Sequence, residues 1–275
     1  MIHIAKYEPG RTGGGWSFAR NFVKGLGALA TDYDKAQIYF ITSASMVQRS
    51  DVEQAKADGK KIVLRVDNAI RNSRNRNTGM TRMYDMAQMA DVVIYQSQWS
   101  KDYLEPFLKV DGEVILNGID IGLFHPGKTP PPDHTYLYSR FNRDETKNYE
   151  VARYWFSRLE KDLKHLSIVG QFSEEIREGN FDFYRGEHFT YRGVLGEEAM
   201  TDLYRNCKHF IYTYFNDCCS NSLIEALCSG CEIVGDEYYR QTGGASEIIM
   251  TYKHGGAEAL SLETMTMGYK EVLGL

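Results

Sequence analysis

Short apolar runs rich in Val, Ile, Tyr and Phe alternate along the chain with longer segments whose apolar residues recur every three or four positions. The first pattern is typical of strands buried in a sheet, and the second is typical of amphipathic helices. Their alternation predicts an α/β fold in which helices cover both faces of parallel sheets. In the first half, strands are predicted at residues 3–7, 36–43, 61–66, 91–97 and 114–119, with helices at 16–29 and 81–90. Phe18, Phe22, Leu26 and Leu29 fall on one face of the first helix, which is expected to pack on the sheet.

The alternation stops at residues 126–135, which hold four of the six prolines, as is typical of a linker between domains. It restarts with strands predicted at residues 135–140, 165–171, 188–194, 209–215 and 231–236, and with helices at 148–163, 198–207 and 221–230. The sequence therefore predicts two similar Rossmann-like domains, residues 1–125 and 126–275. Strand carboxyl ends and helix amino ends are expected to face each other across a cleft, where a ligand would bind.

Composition limits the class of protein. The chain has 275 residues, of which 43% are hydrophobic and 25% charged, as in an ordinary globular protein. A formal net charge of −5 disfavours nucleic acid and anionic membranes as partners, except through a local basic patch. We expect no transmembrane segment, because no apolar run approaches the roughly 20 residues that a spanning helix needs. Five cysteines, an odd number, and a start without signal-peptide features favour a cytoplasmic protein.

A glycine-rich turn at residues 10–15 separates the first predicted strand from the first helix. Glycine lets the backbone approach a ligand closely, and free N–H groups at a helix amino end attract phosphate. This turn is therefore a candidate for contacts with a phosphate or sugar oxygen. The dinucleotide pattern G-x-G-x-x-G is absent, since Phe18 stands where its last glycine belongs, and this disfavours NAD. The alternative is a tight turn that needs glycine for its geometry alone.

Two cations follow the first strand of the second half. Arg140 stands at the predicted carboxyl end of that strand, and Lys147 stands near the start of the next helix. Both side chains could point into the cleft and bind a diphosphate. The alternative is a solvated charged loop.

Residues 215–235 combine two carboxylates, Asp217 and Glu225, with four of the five cysteines. The predicted strand-to-helix turn places Asp217 at the entry of the loop and Glu225 about one turn into the helix. A carboxylate there can accept hydrogen bonds from adjacent hydroxyls of a ribose or a sugar. The alternative for Glu225 is a capping box with Ser222, in which it would only stabilise the start of the helix.

The cysteines and the D-x-D pattern at residues 32–34 could indicate metal or redox chemistry, but their positions in the predicted elements disfavour it. In a redox C-x-x-C motif the cysteines open a helix, whereas Cys228 and Cys231 close one. Adjacent residues such as Cys218 and Cys219 rarely bind the same ion, so buried packing is the expected role of the cysteines. The D-x-D pattern at residues 32–34 lies in a polar connector, where a solvated turn is expected.

Several motifs, in order, resemble the retaining glycosyltransferases of family 4, which have the GT-B fold. Their two motif glutamates, with seven residues between them, correspond to Asp217 and Glu225, the latter followed by A-L-C-S-G where the family has A-M-A-x-G. Further similar segments are ADVVIYQSQWSKDYL, VILNGIDIGLFHP, LSIVGQ, TYRGVLGEEAMTDLYRNCKHFIY and TGGASE. The resemblance covers most of the chain.

The resemblance implies a nucleotide diphosphate sugar, UDP- or GDP-linked, as co-substrate, with no metal or other cofactor. By position, Arg140 and Lys147 would bind the diphosphate, Glu225 the ribose and Asp217 the donor sugar. Further donor-binding residues implied in this way are Gly14, Gly15, Gly170, Val194, Cys219, Ser220, Asn221 and Ser222, with Val194 beside the base. The acceptor would be a glycan, a lipid or another hydroxyl compound, neutral or anionic.

The chain departs from the family in several respects. Asp217 is one methylene shorter than the usual glutamate, which alters its reach toward the sugar. Arg140 and Lys147 are separated by more residues than usual, so Arg143 is a further candidate for the diphosphate. The family's histidine near the sugar 6-hydroxyl is missing, and Asp67 is the nearest polar residue. The chain is also short for the family, so that the first domain and its acceptor loops must be trimmed.

Two other functions fit the same fold. A non-catalytic protein could bind a nucleotide sugar or a polyanion, and a group of arginines in the first domain supports it: Arg65, Arg71, Arg74, Arg76 and Arg82. A phosphorylase would need a phosphate co-substrate and a cofactor lysine, which the sequence does not identify. The expected reaction is a transfer with retained configuration, in which the leaving phosphate takes the proton of the acceptor.

Overall fold

The computed structural model describes residues 1–10, 13–67, 69, 77–142, 145–159, 164–171 and 188–275, and for residues 77, 78 and 145 it describes the backbone only. The chain divides into two compact units. The first comprises Met1–Asp120, Cys218–Asn221 and Glu258–Leu275, and the second comprises Ile121–Asp217 and Ser222–Ala257. The chain therefore passes four times from one unit to the other.

The first unit contains a five-stranded parallel sheet in the order β1-β2-β3-β4-β5. Its strands are β1 (Ile2–Ile4), β2 (Ile38–Ile41), β3 (Lys61–Val66), β4 (Val92–Tyr95) and β5 (Glu113–Val114). Its helices are α1 (Gly14–Leu26), α2 (Arg49–Ala57), α3 (Asn77–Met89), α4 (Gln98–Leu108) and, near the carboxyl end, α10 (Leu262–Leu273).

Alternation along the strands divides the core of the first unit between the two faces of the sheet. In β2, Ile38 and Phe40 join one apolar cluster with residues of α1 and α10, such as Phe22 and Tyr269. Tyr39 and Ile41 join the other cluster, to which α2, α3 and α4 contribute. Successive side chains of a strand point to opposite faces, so this period-2 pattern places helices on both faces.

The second unit contains a second parallel sheet, in the order β10-β9-β6-β7-β8. Its strands are β6 (Thr135–Phe141), β7 (His165–Gly170), β8 (Phe189–Gly193), β9 (His209–Ile211) and β10 (Glu232–Val234). Its described helices are α5 (Tyr149–Ser157), α6 (Glu197–Arg205), α7 (Asn221–Cys228), α8 (Glu237–Gln241) and α9 (Ala245–Gly255). In both units the α/β fold class is confirmed.

Each predicted element overlaps an observed one, but the ends differ, and helices α2, α4, α8, α9 and α10 were not predicted. The strand predicted at residues 209–215 ends at Ile211, and the one predicted at 114–119 is reduced to Glu113–Val114. Phe18, Phe22 and Leu26 are buried as predicted, whereas Leu29 lies in a short 3₁₀ turn after α1 and is partly buried. The boundaries of the units also differ from those of the predicted domains. The chain leaves the first unit after Asp120, and Glu258–Leu275 again belongs to the first unit.

No helix in the described part of the chain has the length and apolar character that crossing a membrane requires.

Replacement of Gly25 tests the contact between α1 and α10. A Cβ at this position would overlap the hydroxyl of Thr266, which donates a hydrogen bond of 2.7 Å to the Leu262 carbonyl. We expect Gly25→Ala to lower the free energy of unfolding by about 1–3 kcal/mol, because overpacking outweighs the better helix propensity of alanine. Chemical denaturation measures this.

The matched control is Gly15→Ala in the same helix, whose Cβ would meet only Met46 Sδ at 3.6 Å, an ordinary contact. Equal stability of the two variants would contradict the packing of α10 on α1.

Candidate functional site

An irregularity at the carboxyl end of β6 positions Arg140. The register between β6 and β7 shifts between Tyr138 and Phe141, and Arg140 lies inside the shift with φ of 69°. A bulge of this kind redirects a side chain. Gly170, at the end of β7, has φ of 149°, and a Cβ there would overlap the backbone of Phe141. Gly170 is thus explained by the close approach of the two strands, which supports the conformation of Arg140.

Hydrogen bonds to its backbone carbonyl fix the position of Lys147. It ends the 3₁₀ turn Glu145–Lys147, and its carbonyl accepts hydrogen bonds from the hydroxyls of Tyr138 at 2.8 Å and Thr213 at 3.1 Å. Asn148 follows with φ of 52° and starts α5. The Phe215 N–H donates to the Thr146 carbonyl at 2.7 Å. These bonds join the turn after β6 to the segment after β9, so Lys147 has little freedom although lysine is a flexible residue.

Asp217 stands in the segment that follows β9. Asn216 precedes it with φ of 51°, and the Asp217 carbonyl accepts a hydrogen bond of 2.9 Å from the Gly244 N–H. Gly243 has φ of 62°, and a Cβ there would lie 2.6 Å from the Asp217 carbonyl oxygen. Gly243 of the TGGASE motif is therefore needed for the close approach to Asp217, a role that was not predicted.

Asp217 lies between the two cations. Its Oδ2 accepts a hydrogen bond from Arg140 Nη1 at 2.8 Å and another from Lys147 Nζ at 3.1 Å. The side chain of Lys147 is 3% exposed, that of Asp217 10% and that of Arg140 30%. Charge-assisted bonds are strong where water is excluded. Two positive charges and one negative charge leave the group with a net charge of +1, which suits a further anion.

Electrostatics at Arg140 follow from this pairing. Burial lowers the pKa of the guanidinium, but Asp217, with smaller contributions from Tyr214, Tyr212 and Glu225, outweighs this effect, and the pKa lies above its ordinary value. Arg140 therefore stays charged at every physiological pH.

Backbone strain accompanies this arrangement. Arg140, Asn148 and Asn216 are three of the five described residues other than glycine with positive φ. Each such residue costs about 1–3 kcal/mol, and such strain clusters at functional sites.

Tyr214 lies beneath the cations. Its ring centroid is 5.6 Å from Arg140 Cζ and 5.1 Å from Lys147 Nζ, within reach of a cation–π attraction. Its hydroxyl donates to the Ser139 carbonyl at 2.7 Å. Burial raises the pKa of Tyr214 to about 12, so the phenol stays neutral. The alternating aromatic residues in Y-T-Y-F, residues 212–215, could have indicated that Tyr214 is buried. The contact of Tyr214 with the cations has no such signal, because it depends on the bulge in β6.

Glu225 is bound by an aromatic hydroxyl. Tyr204 Oη donates to Glu225 Oε2 at 3.1 Å and to the Ser222 carbonyl at 3.3 Å. Burial, and next the charge of Glu225, raise the pKa of Tyr204 well above its ordinary value. Helix α7 begins at Asn221, so Ser222 lies in its first turn and not at the capping position before it. The geometry therefore disfavours the capping box as the explanation of Glu225.

The loop from Cys218 to Asn221 belongs to the first unit and is bound there by Asn117. Asn117 Nδ2 lies 3.0 Å from the Cys219 carbonyl and 2.8 Å from Asn221 Oδ1, and its N–H donates to Cys219 Sγ at 3.3 Å. Ser220 is buried within this loop. Asn117 was not singled out as a site residue, although it stands in the V-I-L-N-G-I-D segment of the resemblance. It binds two of the predicted donor-binding residues, Cys219 and Asn221.

The other predicted donor-binding residues lie outside the ion group of Arg140, Lys147 and Asp217. Gly14 and Gly15 form the first two residues of α1, and Asp67 follows the end of β3, all in the first unit. Val194 follows β8 in the second unit and is 63% exposed. Arg143 lies outside the described residues.

Arg65 does not lie on the surface, as the predicted basic patch required. This side chain is 3% exposed: it lies 3.8 Å from the Phe18 ring centroid and donates to the side-chain oxygens of Gln96 at 2.5 Å and Asn117 at 2.9 Å. The prediction that Arg65 belongs to a surface patch is wrong, because β3 is buried. Arg82 is partly exposed and donates to the Ser45 carbonyl. The patch also included Arg71, Arg74 and Arg76, which lie outside the described residues.

All five cysteines are buried free thiols, which confirms their packing role. Burial raises the pKa of Cys207 to about 12 and that of Cys231 still further, so neither is a thiolate at neutral pH. Among the described residues, no group of three or more His, Cys, Asp or Glu could hold a metal ion. Asp32 and Asp34 are exposed around a 3₁₀ turn, as predicted for the D-x-D pattern.

Comparisons with known proteins identify the fold. No family model matches the sequence, and no curated protein sequence matches it either. Solved structures do match. Sucrose-phosphate synthase from Thermosynechococcus elongatus superposes with a TM-score of 0.67 at 15% identity, covering 98% of this chain and 81% of that one. HepE from Anabaena, in complex with UDP and glucose, also gives 0.67, at 12% identity over 98% and 94% of the two chains. The chain has the GT-B fold.

A third match extends the same result. AviGT4, a glycosyltransferase involved in avilamycin A biosynthesis, superposes with a TM-score of 0.65 at 11% identity over 100% of this chain and 98% of that one. At such low identity the likeness concerns the fold. It agrees with two parallel-sheet units that each resemble a Rossmann domain.

Replacement of Asp217 tests the ion pairs. Asp217→Asn leaves the largely buried Lys147 and Arg140 without their common anion, so we expect the free energy of unfolding to fall by about 2–4 kcal/mol. Urea denaturation measures this. The control is Asp202→Asn, which removes a carboxylate that is 76% exposed and 3.7 Å from Arg205. Such a surface pair contributes about 0–1 kcal/mol. A loss equal to that of the control would show that the two cations do not depend on Asp217.

Proposed function

We propose that the protein is a retaining glycosyltransferase that moves a sugar from a nucleotide diphosphate sugar to a hydroxyl acceptor without a metal ion. The observation that carries the proposal is the ion group of Arg140, Lys147 and Asp217 at the carboxyl ends of the adjacent strands β6 and β9. In open α/β sheets, ligands bind at the carboxyl ends of strands.

The two cations are suited to a diphosphate. The Arg140 guanidinium can form paired hydrogen bonds with phosphate oxygens, and the Lys147 ammonium supplies a compact point charge. As the bond between the anomeric carbon and the diphosphate oxygen breaks, negative charge grows on the leaving group. Cations already fixed in position stabilise that charge more in the transition state than in the ground state, which accelerates the reaction. Because these side chains carry the neutralising charge, we propose that no metal is needed.

Asp217 and Glu225 would bind the two ends of the donor. The Asp217 carboxylate would accept a hydroxyl of the sugar while it keeps the cations oriented. Glu225, held by the Tyr204 hydroxyl, would accept the hydroxyls of the ribose, and the exposed Val194 would lie against the base. We propose that the acceptor oxygen attacks from the face that the diphosphate leaves, and that the leaving phosphate takes the acceptor proton. No protein base is then required.

The similar proteins support this proposal by their ligands and activities. HepE binds UDP and glucose, and AviGT4 is a glycosyltransferase. Uridine diphosphate sugars are therefore the first donors to test, followed by guanosine diphosphate sugars. A non-catalytic polyanion-binding protein is less well supported, because Arg65 is buried and engaged inside the first unit.

A thermal-shift panel of nucleotide sugars, with and without EDTA, tests the proposal. A ligand that binds only the folded protein raises the melting temperature, and at 100 times its dissociation constant it adds about 2.7 kcal/mol. We expect one donor class to stabilise the protein equally in the presence of EDTA. If no nucleotide sugar or nucleoside diphosphate stabilises the protein, the proposal fails. Stabilisation that disappears with EDTA would refute metal independence alone.

With the donor identified, substitution of the cations tests their role. A bond to a charged oxygen contributes about 1.5–3 kcal/mol, so we expect Arg140→Ala and Lys147→Ala each to lose roughly ten- to a hundredfold or more in kcat/KM. Steady-state assays of sugar transfer measure this.

The matched control is Lys208→Ala, which removes a lysine of the same unit that pairs with exposed Asp133 at 2.6 Å. We expect it to leave turnover unchanged. Normal turnover in the Arg140 and Lys147 variants would exclude them from the diphosphate site.

A further inference from the structure

The first unit contains a cavity on the face of its sheet that α2 covers. Its volume is about 210 Å³, and it is lined by six residues: His3, Lys6, Tyr33, Tyr39, Asp51 and Gln54. His3 belongs to the edge strand β1, Tyr39 to β2, and Asp51 and Gln54 to α2. None of these residues belongs to the site proposed for the donor.

Three rings form an aromatic corner in this cavity. The His3 ring stacks on the Tyr39 ring at 5.8 Å between centroids, and Tyr33 meets both rings edge to face, at 5.5 Å and 5.9 Å. Tyr33 is fixed by a hydrogen bond of 2.5 Å from its hydroxyl to Asp58 Oδ2. Rings held in this way offer a rigid apolar surface at little further loss of conformational entropy.

The Tyr39 hydroxyl is the most informative polar group. Tyr39 is 4% exposed, yet within the described part of the chain its hydroxyl forms no hydrogen bond with another protein group. Burial, followed by the negative charge of Asp51, raises the pKa of Tyr39 to about 12, so the hydroxyl remains a neutral donor and acceptor. The hydroxyl oxygen itself is not fully buried, since Tyr39 lines the cavity, and it is therefore available to a ligand there.

The remaining polar groups offer both donors and acceptors. Lys6 Nζ lies 3.1 Å from Asp51 Oδ1, and Lys6 has φ of 54°, a strained conformation for this residue. Gln54 is an exposed amide at the rim. Burial lowers the pKa of His3, so its ring is neutral at pH 7; Nδ1 donates toward the Thr31 carbonyl, which leaves Nε2 as an acceptor. The ion pair has no net charge, so the cavity favours neither a cation nor an anion.

We propose that this cavity binds one ring of a neutral carbohydrate, with a face of the ring against the aromatic corner and adjacent hydroxyls on Asp51, Lys6 and Tyr39. A sugar ring combines an apolar face of C–H groups with a rim of hydroxyls that both donate and accept, and the cavity lining has the complementary chemistry. The volume is below the roughly 300–1,000 Å³ of sites for drug-sized ligands, which restricts the occupant to about one ring.

The experiment is a titration observed by NMR of protein labelled with ¹³C in its tyrosine rings. Signals of Tyr33 and Tyr39 are assigned by their loss in Tyr33→Phe and Tyr39→Phe. The probes are the methyl glycosides of glucose, galactose, mannose and N-acetylglucosamine. Tetramethylammonium, inorganic phosphate and glycerol serve as a cation, an anion and a polyol without a ring. We expect at least one glycoside to shift both signals in a saturable way, and the three other probes to leave them unchanged.

Two substitutions test the contacts. We expect Tyr39→Phe, which removes only the hydroxyl, to weaken glycoside binding roughly two- to tenfold, and Asp51→Asn to weaken it about tenfold or more. Tyr84→Phe and Asp102→Asn, at exposed positions of α3 and α4, are matched controls that should not change the affinity. Gln54→Ala, at an exposed position of α2, provides a further variant if Tyr39→Phe does not fold.

The outcomes separate this proposal from the transferase proposal. If no glycoside shifts the signals, if binding is unchanged in Tyr39→Phe and Asp51→Asn, or if phosphate or tetramethylammonium binds instead, the cavity is not a carbohydrate site. UDP is added to the same samples as an independent measurement. UDP binding without glycoside binding overturns only the carbohydrate site, whereas glycoside binding without any nucleotide binding overturns only the transferase.

Discussion

One carboxylate oxygen shared by two cations is the constraint on which the second unit depends. Arg140 lies at the end of β6 with a positive φ, Lys147 lies in the turn after β6, and Asp217 lies in the segment after β9, where its backbone closely approaches Gly243. Neutral, well-packed side chains would fill the same space more stably in many proteins. A strained, charged arrangement of this kind agrees with the diphosphate site that we propose.

Much of this could be predicted from the sequence because it depends on local periodicity. Apolar runs of four to six residues mark buried parallel strands, and chemistry in such folds gathers where those strands end. For that reason the sequence predicts Arg140, Lys147 and Asp217 near strand carboxyl ends that face one cleft. Their roles as ligands of a donor remain predictions, since proximity alone does not identify what is bound.

Other features depend on contacts between distant parts of the chain and have no local signal. The bulge that turns Arg140 needs Gly170 from another strand, and Gly243 is needed only because the Asp217 backbone lies against it. Arg65 was taken for a surface residue because arginine rarely lies inside a protein. Its charge is instead dispersed over Gln96, Asn117 and the ring of Phe18, residues that are remote in sequence.

The placement of α10 in the first unit has a consequence for biosynthesis. Leu262, Met265, Tyr269 and Leu273 complete an apolar cluster whose other members come from the first hundred residues. A ribosome exposes those early residues long before it has made the helix that covers them, so the amino-terminal half cannot complete this cluster until α10 has been synthesised. Closing so long a loop is slow, and the open apolar face invites chaperone binding in the interval.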